Sequence, residues 1–250
     1  MKIIGIIPAR YGSTRFPGKP LADICGRPMI WWVYRQAKKA KKLNEVFVAT
    51  DDDRIADICN KYDIPYIMTS TEHPTVTSRI HEVATRVQSD LYLVINGDEP
   101  LISEEVIEAV IPADKVEQKY YVGNLMSKIK SAPEVVDFTN IKVVTDAESN
   151  AMYMSRSPVP YPKASIEYDY YKHLGVIIYN RAALDFYVEH ERGYIENIED
   201  VDYLRFIENG VKVKMTKVEA ESLSVDNYKD LTHVRNVIDK MIKSGEIVIE

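Results

Sequence analysis

The chain has 250 residues, 28% of them charged and 46% hydrophobic, and a formal net charge of −6. That length can bury a full core as one α/β domain or as a main domain with an insertion, and the composition is that of a soluble globular protein. The negative balance excludes a general nucleic-acid binder, and no run approaches the roughly 20 apolar residues of a membrane span. The short apolar start, cut by Pro8 and Arg10, does not read as a signal peptide, and none is expected. Cys25 and Cys59 have neither disulfide-framework nor zinc spacing. They read as small buried thiols in a reducing compartment, and a cytoplasmic protein is expected.

Residues 2–7 form a β-branched apolar run that predicts a fully buried strand. Where a parallel strand hands over to its loop stand Arg10, Ser13, Arg15 and Lys19, interleaved with Gly12 and Gly18. Cations and a hydroxyl on such a loop suit a polyanion, because glycine lets the backbone approach and Arg offers phosphate a planar donor fork. A solvated basic loop is the plain alternative. The loop is not a P-loop, because five residues rather than four separate Gly12 from Gly18 and Pro20 follows Lys19; the dinucleotide fingerprint G-x-G-x-x-G is also absent.

Pro28 is placed to open a helix running to about Lys42, whose basic end suits the helix dipole. Residues 46–50 predict a second strand that ends in Asp51, Asp52 and Asp53. These acids can cap the next helix, bind a metal or contact a ribose, and capping takes one of them. A helix over 54–62, a short strand over 65–68, a polar loop over 69–78, a helix over 79–88 and a buried strand over 91–95 follow. Strands alternating with helices mean βαβ units and a parallel sheet, with ligands at the carboxyl ends of the strands. A helix over 103–110 comes next.

From Tyr120 the apolar runs crowd together, at 120–126, 141–144, 151–154 and 174–179, with a proline-rich stretch at 157–162. They predict a mixed or antiparallel extension, an inserted lobe carrying a second ligand and a dimer contact. Helices over 185–189 and 197–209, a strand over 211–218 rejoining the main sheet, and a helix over 228–244 complete the reading.

Asp98 directly follows a buried strand behind a glycine turn, at the same sheet edge as Arg10 and Lys19. Carboxylates beside bound phosphates are how Mg²⁺ is held, with one or two protein oxygens and the rest from substrate and water. Helix capping is the alternative, a duty Ser103 already serves. Asp226 is similar in kind, an acid after an apolar pair and before a helix. The histidines lack metal-ligand spacing, and no Gly-x-Ser-x-Gly elbow or Cys/His pairing supports nucleophilic hydrolysis.

Taken together these stretches resemble the CTP-dependent sugar-acid cytidylyltransferases, most closely the 3-deoxy-manno-octulosonate (KDO) cytidylyltransferase family. The resemblance rests on Pro8-Ala9-Arg10-Tyr11-Gly12-Ser13-Thr14-Arg15-Phe16-Pro17-Gly18-Lys19-Pro20-Leu21 and on Gly97-Asp98-Glu99-Pro100. Lys142-Val143-Val144, Ser155-Arg156, Lys172-His173-Leu174-Gly175, Glu196-Asn197-Ile198-Glu199 and Ser224-Val225-Asp226 follow in the family's order. The chain departs from the pattern at Asn96, at 73–79, at Asp202-Tyr203 and after Asp226.

The resemblance implies a Rossmann-like α/β nucleotidyltransferase with a mostly parallel sheet, read as a single domain. Its nucleotide-binding core would span 1–118 and about 211–250. A smaller mixed α/β lobe over about 119–210 would bind the acceptor and form a homodimer. Arg10, Ser13, Arg15 and Lys19 would hold the CTP triphosphate, with Arg79, Asn96 and Asp98 also at the nucleotide. Lys19, Arg15 and Asp98 would carry catalysis, and Asp98 and Asp226 would hold Mg²⁺. Arg156, His173, Glu199, Asp202 and Tyr203 would face the sugar acid. The implied reaction is attack of an acceptor hydroxyl on the α-phosphorus of CTP with release of pyrophosphate. Alternatives are a different sugar acid or a phosphonate as acceptor, or a nucleotide-binding protein without turnover.

Overall fold

A computed structural model describes residues 1–12, 16–165, 168–220 and 223–249. The first half alternates strands and helices: β1 (Ile3–Ala9), β2 (Asp23–Ile24), β3 (Arg27–Pro28), α1 (Met29–Ala37), β4 (Glu45–Thr50) and α2 (Asp53–Lys61). Then come β5 (Tyr66–Met68), α3 (Val76–Arg86), β6 (Leu91–Ile95) and α4 (Glu104–Ala109). The second half holds β7 (Val122–Lys128), α5 (Ala132–Val136), β8 (Lys142–Thr145), β9 (Ala151–Ser155) and β10 (Tyr171–Asn180). It ends with α6 (Arg181–Glu189), α7 (Tyr194–Glu199), α8 (Leu204–Glu208), β11 (Val213–Lys217) and α9 (Tyr228–Ser244).

One nine-stranded sheet runs in the order β11-β7-β10-β6-β1-β4-β5, with β8 and β9 branching from β10. β6, β1, β4 and β5 are parallel; β10 is antiparallel to both β6 and β7, and β11 is parallel to β7. Along this path β10 alone runs the other way. Period-two alternation sends Ile4 and Ile6 of β1 to one face, where α3 packs Ile80 and Val83. Ile3 and Ile7 face the other side, against Ile30 and Val33 of α1. The two faces are covered as a parallel sheet requires. A separate apolar cluster joins Phe16, Ile24, Met29 and Trp32 to Val225, Leu231, Val234 and Ile238, which fastens α9 over the loop that follows β1.

The chain from β5 crosses under α3 to β6, on the far side of β1 from β4. That reversal opens the crevice outside the carboxyl ends of β1 and β6, the usual place for a ligand in this architecture.

The predicted strands and helices of the first hundred residues are present, with shifted ends. Pro28 pairs with Asp23 in a small hairpin and sits at the N-cap of α1, not in its first turn. The helix predicted to reach Lys42 stops at Ala37, because the next residues tighten into turns that bury Ala40 and bring Asn44 to Ile3. Cys25, expected buried, is half-exposed in that hairpin's turn, whereas Cys59 is buried. The helix predicted from Arg79 begins at Val76, because Thr75 and Ser78 form a capping box.

The sheet also crosses the expected boundaries near 118 and 210 without interruption. β7 and β10 are interior strands because their apolar residues are buried on both faces, and β11 forms the edge beside β7. The single helix expected over 197–209 is broken: Asp200 takes a left-handed conformation (φ 51°), Val201 is buried, and α8 starts at Leu204.

This break lets Arg205 turn back onto Glu196. Its Nε and Nη2 donate to the Glu196 carboxylate at 2.8 Å each, and Nη1 donates to the carbonyls of Tyr187 (2.8 Å) and His190 (2.9 Å). Glu196 is 0% exposed and Arg205 7%. Removing one partner of a buried, fully bonded pair costs about 3–5 kcal/mol, because the other charge is left unpaired. Glu196→Gln is therefore expected to lose stability of that order in equilibrium urea unfolding. A loss under about 1 kcal/mol, the range of a surface pair, would contradict the role given to this ion pair.

Candidate active site

The loop after β1 is closed by its own backbone: Gly18, at φ 70°, donates its N–H to the Tyr11 carbonyl at 2.9 Å. Left-handed φ at this turn suits glycine. Lys19 opens the next single turn, in which Pro20 is buried, and its ammonium swings toward the end of β6. Lys19 Nζ lies 2.8 Å from Asp98 Oδ2 and 3.6 Å from Asp226 Oδ1. Arg10 is exposed at the mouth of the crevice. The expected triphosphate contacts of Ser13 and Arg15 fall outside the described residues.

Two backbone devices hold Asp226 opposite Asp98, although the residues are far apart in sequence. Val225, fully buried, donates its N–H to the Asp98 carbonyl at 2.9 Å. Asn227 caps α9, and Asp230 reaches back to accept from the N–H groups of Asp226 (3.0 Å) and Asn227 (3.1 Å). Asp98 and Asp226 thus present hard oxygen donors to one point, which the Lys19 ammonium already reaches. Among the described residues no group of three or more His, Cys, Asp or Glu is placed to hold a metal ion by itself. Two carboxylates are nevertheless the protein share that Mg²⁺ takes when phosphates and water supply the rest, so this donor set fits that ion.

Two cavities meet at these aspartates. The larger, about 270 Å³, is lined by Arg10, Lys19, the start of α3 and 96–98. The smaller, about 170 Å³, is lined by Thr139, Asn140, Lys172, His173 and Ser224. Asn96, Asp98 and Asp226 line both. Asn96 is fixed by Gly175: its N–H donates to the Gly175 carbonyl at 2.9 Å, and a Cβ on Gly175 would lie 2.2 Å from Asn96 Nδ2. Only glycine allows that approach.

Arg79 reaches the larger cavity while buried, donating to Asp51 Oδ2 and to Thr69 Oγ1 at 2.5 Å each. The three aspartates after β4 thereby divide: Asp52 caps α2 by accepting from the Arg54 N–H, and Asp51 holds Arg79. His73, beside the same cavity, is 2.5 Å from Glu82. Burial works against the charge of Glu82, but bonds from His73 and the Ser70 N–H keep its carboxyl below the ordinary range.

The expected acceptor residues separate. His173 lines the smaller cavity, edge-on to Tyr203 at 5.6 Å between ring centroids. Burial pushes the His173 imidazole down to about 4, so it is neutral at pH 7. Asp202 lies behind this wall, accepting from Thr77 Oγ1 at 3.2 Å, and burial raises its carboxyl. Arg156 and Glu199 line neither cavity. Glu199 accepts from Tyr153 OH (2.9 Å), Ser155 Oγ (2.6 Å) and the Arg156 N–H (2.8 Å). The Arg156 guanidinium donates to the carbonyls of Phe138, Glu199 and Asp200. Thr139, Asn140 and Lys172 were missed as liners. Lys172 had a signal, as the basic neighbour of His173 at a strand end; Thr139 and Asn140 had none.

A cytidylyltransferase family model matches residues 4–215. The chain is 39% identical over 246 residues to the 3-deoxy-manno-octulosonate cytidylyltransferase of Trichlorobacter lovleyi, covering 94% of this chain and 98% of that one. It is 40% identical over 242 residues to the enzyme of the same name from Fusobacterium nucleatum, covering 95% and 97%. Its fold matches a CMP:2-keto-3-deoxy-manno-octonic acid synthetase solved in complex with CTP, with a TM-score of 0.90 at 36% identity over 96% of this chain and 99% of that one. A 4-diphosphocytidyl-2C-methyl-D-erythritol synthase from Anaerococcus prevotii shares the fold alone, with a TM-score of 0.60 at 20% identity, covering 95% and 99%. With a carboxylate pair and a lysine set where two cavities meet on this sheet, the chain belongs to the 3-deoxy-manno-octulosonate cytidylyltransferase family of nucleotidyltransferases.

Proposed function

We propose that the protein transfers CMP from CTP to a 2-keto sugar acid, KDO in the first place, and releases pyrophosphate. The observation that carries this reading is the junction: Asp98 and Asp226 border both cavities, so a nucleotide in one and an acceptor in the other react across them. The anomeric hydroxyl oxygen of the acceptor bonds to the α-phosphorus while its proton passes to solvent, and the bond to the bridging oxygen breaks so that pyrophosphate leaves with the bond electrons. Such transfers need positioning and charge stabilisation more than covalent help. Arg10 and Lys19, with Ser13 and Arg15 of the same loop, hold the triphosphate. Arg79 and Asn96 shape the nucleotide side, and Lys19 stabilises charge growing on the leaving pyrophosphate. Asp98 and Asp226 are the residues that would hold Mg²⁺, which when bound supplies Lewis-acid polarisation of the phosphate and acidifies a ligated hydroxyl.

We read the product as a precursor of lipopolysaccharide or capsule. CTP as the substrate and two free cysteines fit a cytoplasmic enzyme; among the described residues no helix is long and apolar enough to cross a membrane. A homodimer is supported by Phe138 and Ile198, which are 67% and 66% exposed and flank Arg156. Met152 on β9 is likewise exposed.

Pyrophosphate release, measured with each nucleoside triphosphate against KDO and other 2-keto acids and phosphonates, is expected to require CTP and a divalent cation. CTP binding without release under any pairing would refute transfer. Asp98→Asn is expected to abolish turnover with an unchanged unfolding midpoint, and to lose Mn²⁺ uptake in the presence of CTP as read by electron paramagnetic resonance. A folded, fully active Asp98→Asn would exclude the metal role. Lys19→Met is expected to lower kcat by about 10²–10³, the cost of losing one preorganised charge-stabilising donor. Phe138→Asp combined with Ile198→Asp is expected to shift the sedimentation mass from two chains to one; an unchanged dimer mass would place the interface elsewhere.

A further inference from the structure

The acceptor proposed above is an anion, and its charge calls for a cation in the smaller cavity. Its described lining includes three carboxylates, Asp98, Glu99 and Asp226; Lys19 of the neighbouring cavity pairs with Asp98 and Asp226, and Lys172 is the cation of the described lining itself. Neither Arg156 nor His173 supplies a cation there. Arg156 has its guanidinium spread over the carbonyls of Phe138, Glu199 and Asp200 and does not line the cavity. His173 is neutral, its buried Nδ1 has no partner among the described residues, and it can serve a hydroxyl but cannot balance a charge.

We infer that Lys172 is the residue that binds the acceptor's carboxylate and makes the pocket specific for acids. This rests on the transfer reading and adds the residue that selects the substrate class. Lys172 stands on β10 one residue before His173, where the antiparallel run of that strand brings its start to the carboxyl edge of β6. Its Nζ donates to Glu134 Oε2 and to Asn140 Oδ1, at 3.2 Å each. An ammonium has three donors, so these two bonds aim the side chain and leave a third N–H for a ligand. The side chain is 20% exposed. It is therefore sheltered enough for a charge-assisted bond to count, yet still reachable from the cavity.

The test compares the sugar acid with its carboxamide as acceptors, by pyrophosphate release at saturating CTP. The wild type is expected to prefer the acid. Lys172→Met is expected to raise KM for the acid by about ten- to a hundredfold, the range for a hydrogen bond to a charged group. The KM for the carboxamide, the kcat and the Kd for CTP should stay close to wild type, which also shows that the variant is folded. Lys172→Arg should recover most of the preference for the acid. Equal rises for acid and carboxamide, or an unchanged KM for the acid, would overturn the assignment while leaving the transfer reading intact. A wild type that releases pyrophosphate with no sugar acid at all would overturn the transfer reading, and the role of Lys172 with it.

Discussion

The site depends on one strand running against its neighbours. In a wholly parallel sheet the residues before each strand lie at the opposite edge from the residues after it. Because β10 is antiparallel to β6, its first residues, Lys172 and His173, lie beside the end of β6 where Asn96 and Asp98 emerge. The seam is narrow: Gly175 lies against the Asn96 amide with no room for a Cβ. On the other side of β10 the register with β7 shifts between His173 and Ile177. The buried Asn124 Nδ2 donates to the freed carbonyls of Leu174 (2.9 Å) and Val176 (3.1 Å). A bulge of this kind bends a strand and re-aims its side chains, and it turns the start of β10 toward the cavity.

The last helix completes what the sheet begins. α9 adds nothing to the sheet, yet the segment before it carries Asp226. Its position is fixed from two sides, by burial of Val225 in the cluster around Phe16 and Trp32 and by the capping box at Asn227. The Val225 N–H bond to the Asp98 carbonyl then joins the two carboxylate-bearing segments through backbone alone. Side-chain substitution cannot readily remove such a tie. Loosening α9 would move Asp226 away from Asp98 without touching either carboxylate.

Much of this was legible in the sequence because it rests on short-range rules. The apolar runs at 2–7 and 91–95, the alternation of strands and helices, and the placing of Arg10, Lys19 and Asp98 at one edge follow from periodicity and from where parallel strands end. The pairing of Asp226 with Asp98 came only from family resemblance, since the backbone bond that makes it spans the whole chain. The kink at Asp200 was hidden because helix propensity runs straight through 197–209. The kink is imposed by the demand that Arg205 reach Glu196, a tertiary override of a local preference. The start of α3 was missed because Thr75-x-x-Ser78 is a weaker capping signal than the usual acidic partner.

Residue type in a motif does not reveal whether a charge serves the fold or a ligand; the count of satisfied donors does. Arg205, Arg79 and Arg156 look like equal candidates for anion binding on paper. In the folded chain Arg205 and Arg156 spend their donors on protein carbonyls or carboxylates, and Arg79 is buried against Asp51 and Thr69. Guanidinium groups held this way fix loops and helix ends, and drawing one out to a substrate would leave buried acceptors unpaired. Lys19 and Lys172 differ in being partly exposed, held by acidic side chains at 2.8–3.6 Å, and directed into cavities. An ammonium carries three donors, so a phosphate or a carboxylate can bond to these lysines without stripping a buried acceptor of its partner. Arg205, Arg156 and Arg79 are thus tied into the scaffold, whereas Lys19 and Lys172 stand as partly exposed cations in the two cavities that meet at the aspartate pair.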